Sequence, residues 1–131
     1  MECTNCETGT EVVAFAVPEA HLECVPNGEP GVALCPRCLA LLPAADPPAE
    51  PAFERTSDAF PTDSDAAIPM ALLVGLLDNL ALYRTEITTL LEAVERAGVD
   101  PLLVLDRLAA DPAVETDVDL RGRRRHLEQL L

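Results

Sequence analysis

Two Cys-x-x-Cys pairs, Cys3 with Cys6 and Cys35 with Cys38, place four thiols in the first third of a 131-residue chain. Cysteines two residues apart can turn both sulfurs toward one ion with little backbone strain. Two such pairs complete a tetrahedral shell, so the spacing predicts one structural Zn2+ ion held by Cys3, Cys6, Cys35 and Cys38. Four protein sulfurs leave no position for water or substrate, whereas catalytic zinc keeps one open. The metal is therefore expected to hold the chain together, not to act on a substrate. A disulfide framework fits less well, because five cysteines leave one thiol over and no signal-peptide pattern opens the sequence. A redox pair would sit between a strand and a helix of a βαβ unit. Cys38 instead runs into Leu39, Ala40, Leu41 and Leu42 and then into prolines. Cys24 follows His21 by three residues and so forms a further His-x-x-Cys pair. The preferred reading is a small buried thiol and a solvated imidazole beside Glu23, with ligand status left open for both.

The elements that must position the four thiols are short. Val12, Val13, Phe15 and Val17 form one β-like run, and Val32, Ala33 and Leu34 another. Pro26, Asn27, Gly28, Pro30 and Gly31 make a turn cluster that returns the second strand antiparallel to the first and brings Cys35 beside Cys3. Residues 1–42 thus read as a zinc ribbon, a size at which a hydrophobic core seldom suffices and removal of the metal is expected to unfold the module. Residues 43–63 read as a proline-rich acidic linker, in which Phe53 and Phe60 are expected to pack on the chain's own core. From residue 64 to 131 the period becomes helical. Leu72, Leu73, Leu76, Leu77, Leu80, Tyr83, Ile87, Leu90, Leu91 and Val94 form one stripe, which leaves open whether residues 66–97 are one helix or two with a kink near 79–85. Gly98 ends it. Asp100-Pro101 supplies a capping carboxylate and a first-turn proline, and that helix should stop before Pro112. A last helix is predicted from about Leu120 to Leu131. The fold class is α+β: a small N-terminal β zinc ribbon followed by a C-terminal all-α helical bundle.

The balance of charge is 23 acids against nine bases, a net −14, and every base is arginine. Residues 1–62 hold ten acids and two arginines, and residues 63–131 hold thirteen acids and seven arginines, so the acidity is spread over the whole chain. An acidic surface without lysine suits a protein kept soluble in concentrated salt, and 49% hydrophobic residues are too many for a disordered chain. Arg121, Arg123, Arg124 and Arg125 gather in the last predicted helix and, with Arg37 of the second knuckle, are the candidate partner contacts. Phosphate binding is one use for them, and pairing with Asp117, Asp119 and Glu128 is another. About four phosphate contacts would lose roughly 10⁵ in affinity between about 0.1 M and about 3 M salt. Base stacking would have to compensate, and the chain has one Tyr, three Phe and no Trp. His21 and His126 come with no nucleophile motif and no glycine-rich phosphate loop, so no enzyme activity is expected. The longest apolar run falls well short of the roughly 20 residues needed to cross a bilayer. The chain is expected to be cytoplasmic, with a protein partner or a second copy of itself in contact. The alternative is a nucleic-acid-binding regulator.

Cys3-Thr4-Asn5-Cys6 and Cys35-Pro36-Arg37-Cys38 resemble the knuckles of the small zinc-finger proteins abundant in haloarchaea. The whole chain resembles an uncharacterised haloarchaeal family of small zinc-ribbon proteins with CPxC-type knuckles. The likeness extends to Ser57-Asp58-Ala59-Phe60-Pro61, Gly75-Leu76-Leu77-Asp78, Ala97-Gly98-Val99-Asp100 and the run from Asp106 to Pro112. The resemblance implies a fold and no known activity. The glycine usual after the second cysteine of a knuckle is replaced here by Glu7 and Leu39, positions where that glycine would ease the turn.

Overall fold

A computed structural model describes residues 2–6, 9–25, 28–48, 51, 53, 56 and 58–130. Strands β1 (Val13–Ala16), β2 (Gly31–Leu34) and β3 (Leu41–Pro43) form an antiparallel sheet in the order β1-β2-β3. Helices α1 (Ser64–Leu76), α2 (Arg84–Arg96), α3 (Pro101–Ala110) and α4 (Leu120–Glu128) follow. The layout is α+β, a small N-terminal sheet with the cysteine cluster and then four helices among the described residues.

Register explains how the sheet serves two cores at once. Val13 faces Leu34 and Phe15 faces Val32 on one side, while Ala14 faces Ala33 on the other. Because side chains alternate along a strand, Val13, Phe15, Val32 and Leu34 share a face. They are buried in one continuous cluster with Leu72, Leu76, Ile87, Leu91 and Leu105 of the helices. The opposite face carries small residues, and there Val12 and Ala33 pack with Cys3 and Cys35 in a second, smaller cluster. Phe53 and Phe60 are both buried in the larger cluster, so one core runs from the sheet by way of these two rings to the helices.

Helix ends follow the capping chemistry. Asp100 accepts from the N–H groups of Leu102 (3.0 Å) and Leu103 (3.3 Å), and α3 ends at Ala110, before Asp111-Pro112. At the end of α2, Gly98 takes φ +89°, and the paired bonds Val99 N–H to Val94 O and Gly98 N–H to Glu95 O form a Schellman motif. The stripe from Leu72 to Val94 is two helices. A 3-10 turn at Leu77–Asn79 and the following residues to Tyr83 separate α1 from α2. α1 is buried on nearly all sides and packs most extensively on α2. The final helix ends at Glu128, short of the predicted end at Leu131, with Gln129 and Leu130 in a turn; Leu131 lies outside the described residues, as do Pro26 and Asn27 of the turn cluster.

Two elements go beyond the expected pattern. Glu19–Cys24 forms a 3-10 turn that packs against α2. β3 extends the predicted two-stranded ribbon by a third strand and lies over α1 at Gly75, where an added Cβ would run into the Leu41 side chain. Gly75→Ala should therefore destabilise the protein. A helical Gly→Ala change ordinarily gains up to about 1 kcal/mol, but overpacking a closed contact costs about 1–3 kcal/mol. A lower denaturant midpoint at unchanged slope is the expected reading, and a raised midpoint would show that Leu41 simply moves aside.

Candidate metal centre

Cys3 and Cys6 lie ahead of β1, and Cys35 and Cys38 span the turn after β2. Antiparallel pairing of β1 with β2 brings the two turns together. The four Sγ atoms all lie within 4.8 Å of one another, with Cys3 to Cys38 at 3.7 Å and Cys6 to Cys35 at 3.9 Å. Four sulfurs at about 2.3 Å from one tetrahedral ion stand roughly 3.8 Å apart, so the thiols fit a single metal ion. Their hydrogen bonds fit it too. The Cys38 N–H points at Cys35 Sγ (3.4 Å), joined there by the Arg37 N–H, and the Ala40 N–H and the Asn5 side-chain amide (3.5 Å) point at Cys38 Sγ. Such donors orient and steady thiolate ligands.

Burial pushes the Cys35 thiol up to about 12, and the Cys38 and Cys3 thiols add to the rise against the backbone N–H groups that favour the thiolate. Burial likewise raises Cys38, opposed by the Ala40 N–H and the Asn5 amide. The Arg37 guanidinium, within the second knuckle, pairs with Glu115. A divalent ion is the charge that would let these sulfurs ionise together.

Leu39 shows how the second knuckle manages without its usual glycine. It sits at φ +64°, donates its N–H to Cys35 O (2.9 Å) and buries its side chain. A left-handed leucine costs roughly 1–2 kcal/mol, yet a buried leucine is worth about 2–5 kcal/mol over a truncated one. Leu39→Gly should thus lower stability by about 1–3 kcal/mol in denaturant titration while leaving one ion per chain. Glu7, the corresponding residue of the first knuckle, lies outside the described residues.

His21 and Cys24 stand apart from the cluster, which among the described residues consists of Cys3, Cys6, Cys35 and Cys38. Cys24 is buried in the main core and donates to Glu86 O at 3.8 Å; burial, then Glu86 and Glu23, push its thiol up. His21 is half-buried, not solvated, and burial followed by the Arg96 charge holds its pKa below the usual value for imidazole.

The five candidate contact arginines differ in their surroundings. Arg37 donates to Glu115 Oε2 at 2.7 Å, and the Glu115 N–H returns a bond to Arg37 O at 2.7 Å, which ties the second knuckle to the α3–α4 loop. Arg124 pairs with Asp106 (2.8 Å) and with Glu128. Arg121 and Arg125 are exposed, four residues apart on α4. Arg123 lines a cleft of about 600 Å³ together with Cys6, Cys38, Gly75 and Asp117. The Arg37–Glu115 link spans 78 positions of sequence and had no local signal. Asn5 did have one, as an amide side chain within the first knuckle.

Among the described residues no helix is long and apolar enough to cross a membrane. No curated protein and no solved structure matches the chain. The sequence profile of a family of unknown function, DUF6276, matches residues 2–131, a span that takes in both knuckles, the sheet and all four helices. The chain therefore belongs to the DUF6276 family.

Proposed function

We propose that the protein is a non-enzymatic zinc-binding module of the cytoplasm, in which one structural Zn2+ on Cys3, Cys6, Cys35 and Cys38 fixes the knuckles and the folded surface serves as a protein-binding adaptor. The observation that carries the reading is the convergence of four thiols with their N–H donors, a shell with no position left for a substrate. A paired Arg37 and a paired Arg124 favour a protein partner, or a second copy of the chain, over nucleic acid, since both guanidinium groups are already engaged by carboxylates. The lysine-free acidic composition supports a haloarchaeal-type protein that works in concentrated salt. Its stability should fall as salt is diluted and carboxylate repulsion is unscreened, which thermal unfolding at about 0.1 M and about 3 M salt would read.

The test is elemental analysis of protein purified in high salt, with thiol titration before and after denaturation. One zinc per chain and four thiols protected until unfolding are expected. Iron with visible colour would point to electron transfer, and metal-free protein with oxidised thiols would overturn the reading. Light scattering gives the oligomeric state of the same sample, and a pull-down repeated after nuclease treatment separates protein partners from nucleic acid.

A further inference from the structure

We propose that Cys6 and Cys38 are the sites at which small uncharged hydroperoxides oxidise the metal centre, and that this oxidation frees the ion and the 111–119 loop together. The proposal rests on the metal reading above. Its basis is an asymmetry among the four thiols. Cys3 and Cys35 are 4% and 0% exposed, whereas Cys6 and Cys38 are half-buried and line the cleft of about 600 Å³. That cleft is wide enough for a peroxide to reach both sulfurs without unfolding. Asp78, Asp117 and Asp119 also line it against a single arginine, Arg123, so anionic oxidants are repelled and neutral ones admitted.

Each accessible sulfur has a second thiol within reach on the opposite knuckle, Cys3 at 3.7 Å from Cys38 and Cys35 at 3.9 Å from Cys6. The Cys38 thiolate attacks one peroxide oxygen, an S–O bond forms, the O–O bond breaks and hydroxide leaves. The Cys3 thiolate then attacks the sulfenic sulfur, an S–S bond forms and a second hydroxide leaves. Two thiolates and one peroxide give one disulfide and two hydroxides, with two electrons passing from sulfur to oxygen. A disulfide no longer serves as a ligand pair for a dication. Closing 3.7 Å to a bond of about 2.05 Å also shifts the second knuckle. Arg37, next to Cys38, carries both bonds to Glu115, so the shift pulls on the link that holds the loop.

The experiment uses the full chain with its zinc content measured first. Hydrogen peroxide is added, zinc release is followed with a chromogenic chelator, each cysteine is tracked by sulfenic-acid trapping and mass spectrometry, and amide exchange is read at 111–119. Expected are one zinc released per chain as one to two equivalents of peroxide are consumed, trapping at Cys6 and Cys38 about tenfold faster than at Cys24, and loop exchange rising with the same time course. A thiol-specific reductant with added zinc should reverse all three, and an anionic aromatic disulfide should release zinc more slowly than peroxide does. Glu115→Gln should leave the release rate unchanged while the loop exchanges fast from the start. Zinc retained while Cys24 oxidises, trapping first at Cys3 or Cys35, or a loop indifferent to release would overturn the proposal alone. Protein that carries no zinc before peroxide is added would overturn the metal reading with it.

Discussion

Cys35→Ser should abolish stoichiometric metal binding and unfold both knuckles while leaving the helices largely in place. Structural zinc contributes apparent binding energies of about 10–16 kcal/mol in small zinc-finger peptides, as large as the whole stability of an ordinary domain. The outer face of the sheet has nothing else of that size: its cluster consists of Cys3, Val12, Ala33 and Cys35, with small or half-buried neighbours. The inner face is different, because Val13, Phe15, Val32 and Leu34 belong to the main core with the helices. Metal loss is thus expected to be local, a narrower outcome than unfolding of a self-contained ribbon. Amide protection should vanish at Cys3, Cys35 and Leu39, whose N–H groups bond within and beside the knuckles, and persist along α1 and α2. Helical circular dichroism should be mostly retained. A cooperative loss of the helical signal on metal removal would show instead that the helices cannot hold the sheet's inner face without the ion.

The same site should release its ion in acid. Zinc binds thiolates, and cysteine thiols ordinarily titrate above neutral pH, so at neutral pH the ion displaces protons as it binds. In the complex the thiols are deprotonated, which is a lowered bound-state pKa. The stabilisation by metal is therefore present at high pH and lost as pH falls. With four thiols in the shell, the logarithm of affinity should fall by up to four per pH unit on the acid side, which a competition titration against a chelator of known pH dependence would read.

Features carried by neighbouring residues were legible from sequence, and features carried by distant ones were not. The two Cys-x-x-Cys pairs, the Asp100-Pro101 start of α3 and the Gly98 end of α2 each depend on backbone geometry over a few positions. β3 escaped because Leu41–Pro43 is three residues long and ends in a proline, too short for an alternating pattern. The Glu19–Cys24 turn has no apolar period of its own and is held by packing on α2. The stripe from Leu72 to Val94 hid a helix boundary, because leucine and tyrosine continue the pattern through a segment whose backbone turns. The four clustered thiols were plain from their spacing, but the cleft beside them is built from four separated stretches of chain. The division of labour between the two faces of the sheet became visible only with the register.

Phe53→Ala should be among the most damaging single changes outside the metal site. Read by composition alone, residue 53 lies in an acidic, proline-rich segment, where a substitution usually changes stability by no more than about 0.5 kcal/mol. Its ring is 0% exposed, 5.2 Å from the Phe15 ring of β1 and 5.9 Å from Phe60, so all three phenylalanines of the chain stand in one column. Phe15 belongs to the sheet, and Phe60 precedes α1 by four residues. The column therefore joins the half that carries the four thiols to the helical half. Removing a buried phenylalanine costs about 3–5 kcal/mol, and aromatic pairs add about 0.5–1.5 kcal/mol beyond the area they bury. Against a total of about 5–15 kcal/mol, the loss should lower the denaturant midpoint by roughly a quarter or more. Phe53→Leu, which keeps most of the volume, should recover much of it. If Phe53→Ala instead left the midpoint unchanged, the sheet and the helices would have to be held together by β3 on Gly75 and by the Arg37–Glu115 link. Combining Phe53→Ala with Glu115→Gln would then be the change that separates them.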